Sequence, residues 1–187
     1  MTRRGTPRLL LFPGAGSSSE HPALIAIEHA VAPVRTVRAD FGYRLAGRRA
    51  PDRPPVLLQA VVDAAAAMGK GPLVLGGRSM GGRICSIAVA DGLVPDAAGL
   101  VLVSYPLHPP GKPDTLRVEH LARITVPCLF VHGTRDPFAT PDELQQWTAT
   151  IAGPVEHVFV EGGRHDLNGA DATVAAAVAD WVRRLRG

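Results

Sequence analysis

The feature that most limits how this chain can fold is a set of six short apolar runs that lack polar alternation: Arg8–Phe12, Val34–Ala39, Leu73–Leu75, Gly99–Ser104, Pro127–His132 and Val155–Val160. A strand wetted on one face alternates apolar with polar residues, whereas a strand covered on both faces reads as a continuous apolar stretch. Burial on both faces requires helices above and below the sheet. Helical patterns duly occupy Pro22–Val31, Pro55–Met68, Met80–Asp91, Asp142–Ile151 and Ala172–Arg186. Strand alternating with helix predicts a wound, mostly parallel α/β sheet of about six strands. Start signals support the helices. Thr140-Pro141-Asp142-Glu143 sets a capping hydroxyl before a proline and two acids, and Asp171 is the expected cap of the last helix, whose Val174, Val178, Trp181, Val182 and Leu185 recur with the helical period.

At 187 residues and 46% apolar composition, the chain is long enough for one core and too short for a cofactor domain joined to a substrate domain, so a single domain over residues 1–187 is expected. No apolar run approaches the roughly 18 residues of a membrane span. The start carries the pair Arg3–Arg4, but the apolar run after Arg8 is only Leu9–Phe12, too short for a signal-peptide core, and the expected compartment is the cytoplasm. Cys85 and Cys128 sit in apolar stretches without metal-ligand spacing and read as reduced, buried thiols. The net charge of +3 is almost entirely arginine, Lys70 and Lys112 being the only lysines, and it is scattered in pairs such as Arg48–Arg49 and Arg183–Arg184. Without a dense basic stripe this predicts no nucleic-acid partner, while an anionic small substrate stays open. No metal or other cofactor is expected.

The most informative motif is Gly77-Arg78-Ser79-Met80-Gly81, a G-x-S-x-G placed between the apolar run Leu73–Leu75 and a helical pattern. Such a serine sits on a sharp strand-to-helix turn with its hydroxyl above the sheet, and the flanking glycines stand where side chains would meet a neighbouring strand or helix. A serine needs a base, and the base needs an orienting acid. Asp136 follows the strand Pro127–His132, and His165 follows the strand Val155–Val160. Ser79, Asp136 and His165 are therefore expected to converge over the carboxyl edge of one sheet, in the chain order Ser, Asp, His. The rivals are weaker: His132 and His157 lie within strands, His108 lies in a long loop, and Asp166 adjoins His165 too closely to reach its far ring nitrogen.

Oxyanion donors are expected from the backbone N–H of Met80 and, in the loop Phe12–Ser18, of Ala15 with Gly14 as the alternative. Two proline-rich loops, Gly42–Pro54 and Tyr105–Thr115, should rim the site, which makes Tyr43, Arg44, Arg48, Tyr105, Leu107 and His108 candidates for substrate contact. With no residues left for a separate lid, the pocket should be shallow and open. A competing pattern exists: Gly14-Ala15-Gly16 followed by Asp40 resembles a dinucleotide-binding fingerprint, but Ser19 replaces its third glycine and Glu20-His21-Pro22 delays the helix.

These residues resemble the α/β-hydrolase superfamily, in its small lidless branch near the dienelactone hydrolases, over nearly the whole chain. Phe12-Pro13-Gly14-Ala15-Gly16, Asp40–Arg44, Gly77–Arg83, Tyr105–Lys112 and His132–Phe138 look like the subfamily named for the third subunit of the NSL acetyltransferase complex and its stand-alone bacterial relatives. The resemblance implies a three-layer α/β/α sandwich with six parallel strands, and the same nucleophile, acid and base at Ser79, Asp136 and His165. It departs from many hydrolases where Pro13-Gly14 replaces a His-Gly start to the oxyanion loop, and the chain starts at the equivalent of the third strand. The function expected is a serine hydrolase acting on a small-molecule ester or thioester. The alternative is an interaction module that keeps the fold without the chemistry.

Overall fold

The computed structural model describes residues 7–185; Arg3–Arg4 and Arg186 of the expectations above lie outside the described residues. The chain runs β1 (Arg8–Phe12), α1 (Pro22–Ala30), β2 (Thr36–Arg38), α2 (Gly42–Leu45), α3 (Pro54–Ala67), β3 (Leu73–Arg78), α4 (Met80–Ala90), β4 (Ala97–Val103), a 3₁₀ turn (Leu121–Arg123), β5 (Cys128–Gly133), α5 (Pro141–Thr148), β6 (Val155–Val160) and α6 (Asp171–Arg184). The strands form one sheet in the order β2-β1-β3-β4-β5-β6, and every neighbouring pair is parallel.

Residues of period two divide into two cores. Leu10, Phe12, Leu73, Leu75, Leu100, Leu102, Cys128 and Phe130 pack against α3, α4 and α5, while Leu9, Leu11, Val74, Val101, Val103, Leu129 and Val131 pack against α1 and α6. Helices therefore cover both faces of a parallel sheet, and this accounts for the absence of polar alternation. No helix among the described residues is long and apolar enough to cross a membrane.

The strand order reverses between β1 and β3. The chain leaves β1 toward β2 on one side, then crosses back to continue through β3 to β6. The loops after β1 and β3 consequently diverge at the carboxyl edge and open a crevice, the place where open α/β sheets bind ligands.

Four sequence expectations change. The edge strand β2 is shorter than Val34–Ala39, with Val37 facing out at 36% exposure. β3 is longer than Leu73–Leu75 and continues to Arg78. Glycine there does not weaken the strand but allows it: a Cβ at Gly76 would lie 1.8 Å from the Val101 carbonyl oxygen, and one at Gly77 would lie 1.9 Å from that of Phe12. The loop Gly42–Pro54 begins with the one-turn helix α2, too short to show a period, held by Phe41, which stacks on Phe12, and by Tyr43, which stacks on Phe41. Finally, Asp171 does not cap α6; Ala170 holds that position, and Asp171 lies in the first turn, where its charge still meets the helix dipole. The cap expected at Thr140 is present as a reciprocal box with Glu143.

Gly76→Ala should cost more than the roughly 3 kcal/mol upper end of ordinary overpacking, because the clash is with backbone. Gly42→Ala, which meets nothing within 4 Å, should change stability by less than about 0.5 kcal/mol. Thr140→Ala should cost about 1 kcal/mol through loss of the cap. Urea unfolding of the three variants beside the parent checks all three.

Candidate active site

Ser79 occupies the turn between β3 and α4 at φ +50° and ψ −119°, a backbone conformation unusual for a residue with a side chain. It is held there from both sides. Its N–H donates to the Val103 carbonyl at 2.8 Å, and its carbonyl accepts from the Arg83 N–H at 3.1 Å. The preceding Gly77 has φ +141°, and a Cβ at Gly81 would lie 2.4 Å from the Phe12 carbonyl oxygen, so α4 can start only this close to β1 with glycine there. Ser79 caps no helix N–H with its side chain. Its hydroxyl instead lies 2.8 Å from His165 Nε2.

The loops after β5 and β6 carry the other two residues and interlock. Thr134 N–H donates to Val160, Arg135 N–H to Gly163 and Gly162 N–H to Thr134 Oγ1, and a Cβ at Gly133 would meet the Gly163 carbonyl at 2.3 Å. This contact brings Asp136 and His165 together. His165 Nδ1 lies 2.8 Å from Asp136 Oδ2 and 3.0 Å from Oδ1. Asp136 is 3% exposed, and its Oδ1 also accepts the Phe138 N–H at 2.9 Å. With the carboxylate accepting at Nδ1, that nitrogen carries the proton and Nε2 is free to accept from Ser79. The Phe138 ring stacks on the imidazole at a centroid distance of 3.9 Å. His132 Nε2 approaches Asp136 to 3.6 Å but donates to the Ala139 carbonyl, and burial lowers its pKa, leaving it neutral beside the acid. Asp166 is exposed and its carboxylate makes no hydrogen bond to the His165 ring; it accepts from Asn168 N–H.

Ser79 and His165 open on a cavity of about 450 Å³ that Gly14, Ala15 and Met80 also line. Met80 is the first residue of α4, so its N–H has no intrahelical acceptor. The Ala15 loop is fixed from behind by Tyr43, whose hydroxyl donates to the Ala15 carbonyl at 2.7 Å. Arg78 ties the two sides of the crevice: Nη2 donates to the His165 carbonyl at 2.7 Å, and Nη1 would lie 3.3 Å from a Cβ at Gly14.

The rim expectations need correction. Tyr43, Tyr105, Leu107 and His108 are buried, Arg44 is half-buried, and none of the five lines the cavity. Arg48 is exposed and reaches it only through its partner Asp52, 2.7 Å away. The lining comes instead from Pro51, Asp52, Pro54, Leu57, Pro106 and Phe138, together with Arg78, Arg83 and Arg117. Arg83 was legible in principle, since it stands one helical turn after Ser79. Arg117 carried no local signal.

Other sequence candidates find different uses. Asp40 accepts from Ser19 N–H at 2.8 Å and from its hydroxyl at 2.7 Å, so it pins the loop after β1 and is not free for a ribose. Cys85 and Cys128 are buried and unpaired by disulfide, and burial pushes the Cys128 thiol up to about 12. A second serine–histidine contact, Ser86 Oγ to His120 Nε2 at 2.8 Å, belongs to a buried triangle closed by the Tyr105 hydroxyl. Ser86 donates to the Arg83 carbonyl, and none of the three lines the cavity. The triangle braces the loop after β4 against α4.

A family model described as an alpha/beta hydrolase domain matches residues 5–182. Among solved structures, Est1E from Butyrivibrio proteoclasticus aligns with a TM-score of 0.77 at 18% identity, covering 97% of this chain and 89% of that one. Dienelactone hydrolase from Anabaena variabilis gives 0.76 at 19% identity, with 96% and 87% covered. The type II thioesterase BorB from the borrelidin biosynthetic cluster gives 0.71 at 19%, with 96% and 92% covered.

The buried triangle makes stability pH-dependent. Burial, with Arg83 and Arg123 nearby, lowers the His120 pKa to about 4. Between about 6.5 and 4 the unfolded chain takes up a proton at this residue that the folded chain refuses, so stability falls as pH falls through that window. Burial lowers His132 and His157 as well, with the same sign. Urea midpoints from pH 7 to pH 4 should decline in the parent and decline less steeply in His120→Gln, whose neutral-pH stability is lower; parallel slopes would refute the assignment.

Proposed function

Because the chain belongs to the alpha/beta hydrolase family, whose domain model spans residues 5–182, we propose that it is a serine hydrolase cleaving a carboxylic ester or thioester. Ser79 is the nucleophile, His165 the base and Asp136 the orienting acid. One observation carries this reading: an unbroken chain of contacts from the Ser79 hydroxyl through both nitrogens of His165 to a buried carboxylate, beginning on the wall of an open cavity. The neighbours named an esterase, a lactone hydrolase and a thioesterase support the choice of substrate bond.

In the first half-reaction His165 Nε2 takes the Ser79 proton as Oγ attacks the carbonyl carbon, and Asp136 stabilises the imidazolium through Nδ1. Negative charge develops on the carbonyl oxygen, where the N–H groups of Met80 and Ala15 are the donors; one such donor is worth about a hundred- to a thousandfold in rate. His165 then protonates the departing alcohol or thiol. In the second half-reaction a water gives its proton to His165 and attacks the acyl-enzyme; as the acyl–Oγ bond breaks, His165 returns that proton to Ser79 Oγ and the acid product leaves. No cofactor enters any step. The interlock of the loops after β5 and β6 keeps base and acid in register without substrate, so little ordering is left for the reaction to supply.

A fluorophosphonate probe should label the parent and not Ser79→Ala, and nitrophenyl-ester turnover should fall to background in that variant. Asp136→Asn should keep the fold and lose about a thousandfold or more in kcat, since the amide no longer fixes the productive tautomer. Equal labelling of the parent and Ser79→Ala would overturn the reading.

A further inference from the structure

The cavity beside Ser79 carries an excess of positive charge that the proposed chemistry does not use. Three guanidinium groups, Arg78, Arg83 and Arg117, line it against a single carboxylate, Asp52. Asp52 is engaged by Arg48 at 2.7 Å, and Arg78 is engaged by the His165 carbonyl. Arg83 and Arg117 have no carboxylate within ion-pair distance among the described residues. Arg83 Nε is buried without a hydrogen-bond partner. Burial and the neighbouring Arg117 both lower the Arg83 pKa, and Tyr105 and Glu119 only partly offset them.

A half-buried arginine pair is costly unless something offsets the repulsion and the lost hydration. Here the fold does not supply the missing charge. It holds the pair in place: Arg83 is fixed one turn along α4 from the nucleophile, and Arg117 is fixed by its N–H donating to the Leu107 carbonyl at 2.8 Å. Resting on the hydrolase reading above, we propose that Arg83 and Arg117 form a subsite for a carboxylate carried by the substrate, making the preferred substrates esters or thioesters whose far end is an ionised acid. Guanidinium forks match the two oxygens of a carboxylate, and the cavity of about 450 Å³ accommodates a short diacid chain between the subsite and Ser79. The carboxylate also supplies the hydrogen bond that Arg83 Nε lacks.

The test compares the nitrophenyl hemi-ester of glutaric acid with the neutral nitrophenyl pentanoate, of equal chain length. In the parent, kcat/KM should favour the hemi-ester, mainly through KM, and the preference should shrink as salt is raised. In the doubly substituted Arg83→Gln, Arg117→Gln protein the ratio should fall about ten- to a hundredfold, the worth of charge-assisted hydrogen bonds. Arg83→Lys should recover part of it, and Arg183→Gln, on the far face, should leave it unchanged. An unaltered ratio in the folded double variant would overturn the subsite while leaving the hydrolase reading intact. Binding without turnover separates the two further. Glutarate should raise the melting temperature of Ser79→Ala, and the rise should vanish when both arginines are also replaced. If neither ester is hydrolysed above the Ser79→Ala background, the hydrolase reading fails and the glutarate shift alone decides the subsite; protection by inorganic phosphate but not by glutarate rejects the carboxylate.

Discussion

The Phe12 carbonyl oxygen at the end of β1 occupies the space that a Cβ at Gly77 or Gly81 would fill, and the arrangement of the site depends on that close approach. It presses the last residue of one strand into the turn between the next strand and its helix. Everything downstream of Phe12, including Gly14 and Ala15, is thereby set beside Ser79 and Met80. The reversal of strand order opens the crevice, and the backbone contact fixes how wide it is. A side chain at either glycine would push the end of β1, and with it the Gly14–Ala15 loop, away from Ser79.

A second backbone contact, Gly133 against Gly163, does the same for His165 and Asp136. The two contacts are independent, one at β1 with β3 and one at β5 with β6, and Arg78 connects them through the His165 carbonyl. Arg78 stands at the variable position before the serine in the motif. Its Nη2 donates to the His165 backbone carbonyl, so it ties the loop after β6 to the turn that carries Ser79.

The sheet, its direction and the helices on both faces were legible because both-face burial leaves an unmistakable apolar record in sequence. Ser79, Asp136 and His165 were legible as residues that share one edge, since strand ends set their height. The rim was not. Tyr43, Tyr105, Leu107 and His108 follow strands just as rim residues would, yet each turns inward: Tyr43 to the Ala15 carbonyl, Tyr105 to Ser86 and His120. Which way a loop side chain turns is decided by long-range packing, to which periodicity is blind. The same limit hid Arg117, whose neighbour Arg83 lies 34 positions away in the chain. It also hid α2, where one turn leaves no period to detect.

Three residues on the cavity lining, Pro51, Pro54 and Pro106, are prolines. Proline has no backbone N–H and a fixed φ, so these three positions offer a substrate shape without backbone donors and cannot rearrange to make them. A bound molecule therefore finds acceptors and apolar surface there, and its own acceptors must turn toward the amides beside Ser79 or toward the arginines. The stiff part of the wall thus acts as an orienting surface by exclusion, admitting a molecule in few poses and spending little conformational entropy to do so.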